Sequence, residues 1–258
     1  IEMGTIAISG CATGIGAATR KRLEADGHRL IGVDIKDAEV IADLSNAEGR
    51  ARAITEVLRH SAQRLDGLVL CAGLGGHVHD NARVLSVNYF GAVDLLDGFL
   101  PALRPGREPA AVVICSNSAQ LSPDFGSLPV VAAMLAGDED EARRIAADGL
   151  PGQLVYMASK HALGCAVRRR AAAWGEAGVR LNAVAPGPVR TPLLQGGLDT
   201  PGDGDLIRAF KVPIGRYGEP EEIANVVRFL LAPECAFVHG SIWYADGGAD
   251  ASLRPDRF

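Results

Sequence analysis

Short apolar runs rich in β-branched residues alternate along the chain with longer stretches in which apolar positions recur every three or four residues. The first pattern suits strands buried on both faces of a sheet, and the second suits helices that bury one side. Segments 5–9, 29–34, 40–42, 67–71, 110–116, 179–185 and 241–245 are predicted as strands, and 14–26, 47–64, 82–103, 153–173 and 220–231 as helices. Such alternation predicts βαβ units, hence an α/β fold with a seven-stranded parallel sheet and helices on both faces. One domain over residues 3–258 is expected, since α/β chains of this length commonly close around a single sheet. Ile1 and Glu2 precede the first methionine, Met3, and are set aside as a candidate cloning scar.

Two segments break the alternation. Within 122–152, Leu128, Val131 and Leu135 repeat at helical spacing, Gly137 ends the pattern, and Asp138 can cap a second helix. In that helix Glu139 with Arg143 and Asp140 with Arg144 stand four apart, as ion pairs along a helix do. The segment is predicted as a helical insertion. Segment 188–213 is rich in Gly, Pro and Leu with weak periodicity, and is read as a lid.

Composition narrows the setting. The 258 residues are 48% hydrophobic and 22% charged, ordinary globular usage. A formal charge of -5 argues against nucleic acid, whose binding relies on clustered cations, and the one basic run, 168–170, falls on a predicted helix as a solvated or subunit-facing surface. The five cysteines are scattered singly, as reduced thiols would be, and no apolar stretch approaches the ~18 residues of a membrane span. A cytoplasmic protein without membrane contact is expected.

The first strand runs into Gly10-x-x-x-Gly14-x-Gly16 and then a helix. Glycines at such a turn let the backbone approach a pyrophosphate, whose charge meets the unpaired N–H groups of the helix start. Thr13 and Ile15 lie in the same turn, and Asp34 ends the next strand. A carboxylate there can accept bonds from both ribose hydroxyls and would repel a 2'-phosphate, so the sequence predicts a doubly wound, Rossmann-type sheet that binds NAD. Lys36 nearby leaves residual NADP use open.

Tyr156 and Lys160 stand one turn apart on a predicted helix. With four tyrosines and four lysines, chance would supply roughly 0.06 such spacings in this chain. A phenol of ordinary pKa near 10 is a poor base, but a neighbouring ammonium favours phenolate; a shift of ~3 units requires about 4 kcal/mol, attainable where Lys160 and a positively charged oxidised nicotinamide act together. Ser116, at the end of the fifth predicted strand, could hold a carbonyl or alkoxide oxygen at the same sheet edge.

Together these residues resemble the short-chain dehydrogenase/reductase family, over nearly the whole chain. The glycine turn, Asp43-Leu44, Ala72-Gly73, Asn88 within Ser86-Val87-Asn88-Tyr89-Phe90-Gly91, Ser116, Tyr156 with Lys160, Pro186-Gly187 with Thr191, and Asp246-Gly247-Gly248 follow in the family's order. The resemblance implies an NAD-dependent oxidoreductase in which Tyr156 exchanges the proton and Ser116 orients the substrate oxygen. Lys160 would assist Tyr156 while holding the nicotinamide ribose, and Asn88 would support a water-linked proton relay. Asp43 and Leu44 would contact adenine, Ala72 and Gly73 the cofactor backbone, Thr191 the carboxamide, and Pro186-Gly187 the nicotinamide pocket.

Segments 8–16, 37–45, 70–75 and 171–178 resemble the hydroxysteroid-dehydrogenase branch of the family, which implies a steroid alcohol or ketone as substrate, with Pro188, Leu193 and Leu194 beside Ser116 and Tyr156. Two departures stand out. Leu70-Cys71 replaces the family's usual asparagines, and 40 positions separate Ser116 from Tyr156 where about a dozen suffice in most members. Because the helix after the insertion often contributes to family interfaces, the insertion is expected to change assembly; a homodimer is expected, with the last strand and helix 220–231 as candidate surfaces. His77-x-His79 lacks a third ligand, so no metal is expected. Cys11, Cys71 and Cys115 read as small buried residues. Two alternatives remain open: a dehydrogenase for an unrelated secondary alcohol, and a non-catalytic nucleotide sensor on the same fold.

Overall fold

In the computed structural model, which describes residues 3–256, seven parallel strands are hydrogen-bonded in the order β3-β2-β1-β4-β5-β6-β7. Ile1 and Glu2 lie outside the described residues. The strands are β1 (Thr5–Ser9), β2 (Arg29–Asp34), β3 (Val40–Ile41), β4 (Gly67–Leu70), β5 (Ala110–Ile114), β6 (Arg180–Pro186) and β7 (Ile242–Ala245). Chain order reverses between β1 and β4, and there the loops leaving adjacent strands diverge to opposite faces and open a crevice.

Both faces are covered. Helices α1 (Gly14–Ala25) and α10 (Pro220–Leu231) close one side, where Leu23, Ile223, Val227 and Leu230 pack on Ile8, Val69 and Val112. On the other side lie α2 (Ala47–His60), α3 (Asn81–Leu85), α4 (Ala92–Leu103) and α7 (Gly152–Glu176), burying Val57, Leu95, Phe99 and Trp174. Each such side chain taken from water contributes about 1.5–3 kcal/mol. Among the described residues no helix is long and apolar enough to cross a membrane.

The helix predicted over 47–64 stops at His60, because Ala62 and Gln63 adopt left-handed backbone with φ of 52° and 62°. The one predicted over 82–103 is interrupted by a π-helical turn, Ser86–Gly91, between α3 and α4. Such turns accommodate an extra residue in a helix and recur at functional sites. Here the turn carries Asn88, whose side chain is wholly buried and bonds Leu74 on the loop after β4.

After a 3₁₀ turn at Asn117–Gln120, the insertion contains a second, Pro123–Ser127, then α5 (Pro129–Ala136) and α6 (Glu139–Ala147). Gly137 ends α5 in left-handed backbone, φ 78°, and the Asp138 carboxylate accepts from the Glu141 amide at 3.0 Å, as the sequence predicts. The expected pairs along α6 are replaced. Arg144 pairs with Glu141, whereas Glu139 turns inward to Arg50 and accepts from the Ser86 hydroxyl, to which Arg143 also donates. The buried Arg50 offers a stronger partner than an exposed neighbour on the same helix.

The segment read as a lid folds into α8 (Pro192–Asp199) and α9 (Asp203–Ala209), two helices that its weak periodicity does not predict. A short α11 (Ala249–Leu253), equally unforeseen, follows β7.

Candidate active site

A cleft of about 700 Å³ runs across the carboxyl ends of the strands, from Asp34 to Tyr156 and under α8 and α9. Every residue singled out from the sequence for cofactor or substrate lines it; among the catalytic candidates only Asn88 stands behind the wall.

The glycine turn after β1 forms a cradle at one end. Gly10 has φ of 68°, and a Cβ there would stand 2.4 Å from the Ala72 amide nitrogen, so a side chain is excluded by both backbone and space. A Cβ on Gly16 would fall 1.9 Å from the Gly10 carbonyl oxygen. This contact brings the start of α1 against the turn, so that Gly14, Ile15 and Gly16 line the cleft at a helix N-terminus, where a pyrophosphate is favoured. Asp34 is fixed by the Ala12 amide on one oxygen, 3.0 Å, and by the Ile35 amide on the other, 2.7 Å. Each carboxylate oxygen has two lone pairs, so acceptor capacity remains for a ribose diol. Asp43 accepts from the Ser45 amide and from Arg83, which also lines the cleft and which sequence reasoning missed. The cradle and anchored carboxylate fit an adenine dinucleotide.

At the other end, Ser116 follows β5 in extended backbone, its hydroxyl 2.8 Å from that of Ser118 and 3.2 Å from the Ser118 amide. Ser118 is a second missed residue, visible only as a hydroxyl two positions after Ser116. Tyr156 on α7 is half-buried beside Ser116. Burial pushes its phenol above the ordinary range, and the Ser116 hydroxyl pulls in the opposite direction. Lys160 is 4% exposed, and its Nζ donates to the Ile114 carbonyl at 2.9 Å. Burial lowers its ammonium's pKa.

The expected lowering of the phenol's pKa calls for Lys160 and an oxidised nicotinamide together; among the chain's own groups the balance runs upward. The ammonium is bonded to the end of β5, and desolvation dominates at Tyr156. Two N–H donors of Lys160 remain for groups entering the cleft.

Asn88 supports this arrangement from behind. Its Oδ1 accepts from the Leu74 amide at 2.7 Å, while Nδ2 donates to the Leu74 carbonyl and to Ser159 Oγ, at 3.0 and 3.1 Å. It thus clamps the loop after β4 to α7. Thr191, expected to meet a carboxamide, caps α8: its Oγ1 accepts from the Leu194 amide at 3.2 Å and donates to the Val189 carbonyl. Leu193 and Leu194 cover the cleft, joined by Phe210 of the same lid segment and by Met157, which sequence reasoning did not single out. Burial pushes the Cys71 and Cys115 thiols to about 12, so neither is a ready nucleophile.

A family profile described as short chain dehydrogenase matches residues 4–128, and one described as enoyl-(acyl carrier protein) reductase matches 142–250. The chain is 56% identical, over 99% of its length and 100% of the relative, to the 3-alpha-hydroxysteroid dehydrogenase/carbonyl reductase of Comamonas testosteroni. It is 30% identical to a coniferyl-alcohol dehydrogenase of Pseudomonas sp., covering 94% of this chain and 95% of that one. Among solved structures, the 3-alpha-hydroxysteroid dehydrogenase from Pseudomonas sp. B-0831 complexed with NADH superposes with a TM-score of 0.97 at 46% identity, covering 98% of this chain and 100% of that one.

Proposed function

The chain belongs to the short-chain dehydrogenase/reductase family of oxidoreductases, and from that premise we propose that it interconverts a 3-alpha-hydroxysteroid and the 3-oxosteroid with NAD(H), and also reduces other ketones and aldehydes. The observation that carries the reading is the meeting of the Ser116 hydroxyl and the Tyr156 phenol in a cleft roofed by apolar side chains. The likeness to the Comamonas enzyme over its full length supports the substrate class, and the anchored Asp34 carboxylate supports NAD over NADP.

When bound, the nicotinamide supplies hydride exchange at the reacting carbon. The chain's own residues do the rest. Ser116 donates a hydrogen bond to the substrate oxygen, favouring it as negative charge develops. Tyr156 gives its proton to that oxygen in reduction and withdraws it in oxidation. Lys160, held by the Ile114 carbonyl, orients the cofactor ribose and faces the proton path, and Asn88 fixes the loop and helix that frame that path. Pro188, Leu193 and Leu194 exclude water from the apolar body of the substrate.

Monitoring NADH absorbance with 3-alpha- and 3-beta-hydroxysteroids and small alcohols tests this. Wild type is expected to oxidise a 3-alpha-hydroxysteroid, and Tyr156→Phe to bind NADH while losing turnover by about 10³-fold or more. NADH binding without turnover of any alcohol would favour a nucleotide sensor; equal activity in both proteins would remove Tyr156 from the mechanism.

A pH dependence follows from the raised phenol pKa. Oxidation requires phenolate, so its kcat/KM should climb as pH rises above neutrality. Reduction requires the protonated phenol and should stay flat through neutral pH, falling only in strong base. Oxidation that slows on going from pH 7 to 9 would contradict this assignment.

A homodimer through β7 and α10 is part of the same reading. β7 is an edge strand, and Phe229 and Tyr244 are exposed beside the Phe229–Trp243 ring contact. The insertion lays α5 against α7, covering a surface through which other members assemble. Sedimentation should report two copies; a tetramer would overturn this. The free thiols and the formal charge of -5 support a cytoplasmic enzyme acting on small molecules rather than nucleic acid.

A further inference from the structure

The helices over the cleft are weakly packed. Gly197 is the one buried residue of α8 and Gly204 the one of α9, while Leu206 is 70% exposed. With so little apolar burial, a single polar contact can decide whether the pair lies over the cleft or swings away. Among the described residues, two side-chain hydrogen bonds reach this pair from residues beyond the 188–213 segment. One is a long bond from the adjoining Tyr217 to the Ile207 carbonyl, 3.4 Å; the other is Gln153 Nε2 donating to Asp203 Oδ2 at 2.8 Å.

Gln153 is well placed to matter. It lies three residues before Tyr156 on α7, thus on nearly the same helix face, and it lines the cleft. Its position is fixed from behind by Gly76, where a Cβ would stand 2.7 Å from the Gln153 Cα. One residue further along that loop, the His77 imidazole lies against α8, so close that a Cβ on Gly196 would stand 2.5 Å from its Nε2. The loop after β4, the start of the Tyr156 helix and the cover meet at this junction.

We propose that Gln153 and Asp203 form a latch that ties closure of α8 and α9 to the helix bearing Tyr156, and that the latch sets the preference for bulky over small alcohols. Both are positioning residues. A bulky apolar substrate gains from a closed cover along its whole length, whereas a small alcohol contacts only the floor of the cleft, so opening the latch penalises the former. The inference rests on reading α8 and α9 as the substrate cover, not on the identity of the alcohol.

Reversing the polarity of the contact tests it. Gln153→Glu keeps the shape of the side chain but sets two carboxylates against each other, and Asp203→Asn leaves a weaker neutral bond. The double variant restores a charge-assisted bond in the opposite direction. In the presence of NADH, tryptic cleavage after the exposed Arg208 and Lys211, followed by mass spectrometry, reads opening of the cover directly. Gln153→Glu should be cut about tenfold faster than wild type, Asp203→Asn less so, and the double variant should return to within about threefold of wild type. For a bulky ketone, KM should rise about fivefold or more in Gln153→Glu with kcat changed less than about threefold, and the double variant should recover.

Wild-type cleavage rates in Gln153→Glu, or a double variant cut as fast as that single one, would overturn the proposal. If no steroid is turned over but cleavage follows the predicted pattern, the latch stands and the steroid reading falls.

Discussion

Two pairs of helices interrupt the same α/β framework and meet opposite fates. The insertion, α5 and α6, is built into the core: Val131, Met134, Ala142 and Ala146 are fully buried, and Glu139 reaches the buried Arg50 of α2. Asn81 on α3 further donates to the Ala146 and Leu150 carbonyls, at 3.3 and 2.7 Å. The cover, α8 and α9, buries one glycine per helix and one charge-assisted bond to the body. Segments alike in size and helicity thus differ in stability because of what lies beneath them. The insertion packs on other helices, while the cover lies over a cleft whose apolar walls are left for a ligand. Its leucines are unsatisfied by the protein itself, which suits a surface that must repeatedly part from what it covers.

The comparison breaks most readily at Met134. Its replacement by alanine empties space in the part of the core shared by α5, α6 and α7 and should destabilise the protein by about 2–5 kcal/mol, read from urea or thermal unfolding. A cost below about 1 kcal/mol would mean that the insertion is an appendage like the cover. Glu139→Gln probes the polar half of the same junction. Arg50 keeps Asp94 at 2.7 Å, so the buried guanidinium is not stranded, and the loss should be smaller, about 1.5–3 kcal/mol. No loss at all would show that Asp94 alone satisfies Arg50.

What the sequence made legible follows the same division. Helix 220–231 is predicted to its ends, since Pro220 opens it, Glu219 and Glu222 form a capping box, and one face is steadily apolar. The strand cores are equally plain, because buried parallel strands are continuous apolar runs. The π-helical turn escapes such reading: it is held by Asn88 bonding Leu74, a contact across 14 residues that no local periodicity encodes. The cover's helices escape it too, since short segments with almost nothing buried carry no apolar face to detect. At the site, spacing and motif order pick out which residues meet, but the direction of the Tyr156 pKa is set by burial of the phenol, which outweighs the Ser116 hydroxyl and which no spacing encodes. The insertion's helices are legible in Leu128, Val131 and Leu135, in the Gly137-Asp138 punctuation and in the charged residues four apart that follow, although the partners of those charges are not.

The smallest expected effect on stability sharpens the comparison from the other side. Leu206 lies on α9, 70% exposed yet lining the cleft. Because little of it is withdrawn from water in the protein alone, Leu206→Ala should change unfolding free energy by less than about 0.5 kcal/mol, in contrast to the loss at Met134. Its apolar area is withdrawn from water only when a substrate body fills the cleft. The alanine variant should therefore raise KM for a bulky apolar ketone by about three- to tenfold while leaving KM for a small one nearly unchanged, measured by NADH absorbance. An unfolding cost comparable with that of Met134→Ala would show that α9 is a structural element after all. Equal KM values for the bulky ketone would place its body elsewhere in the cleft. The expected combination, stability intact and discrimination lost, is the signature of apolar surface held in reserve for a ligand rather than used to hold the fold together.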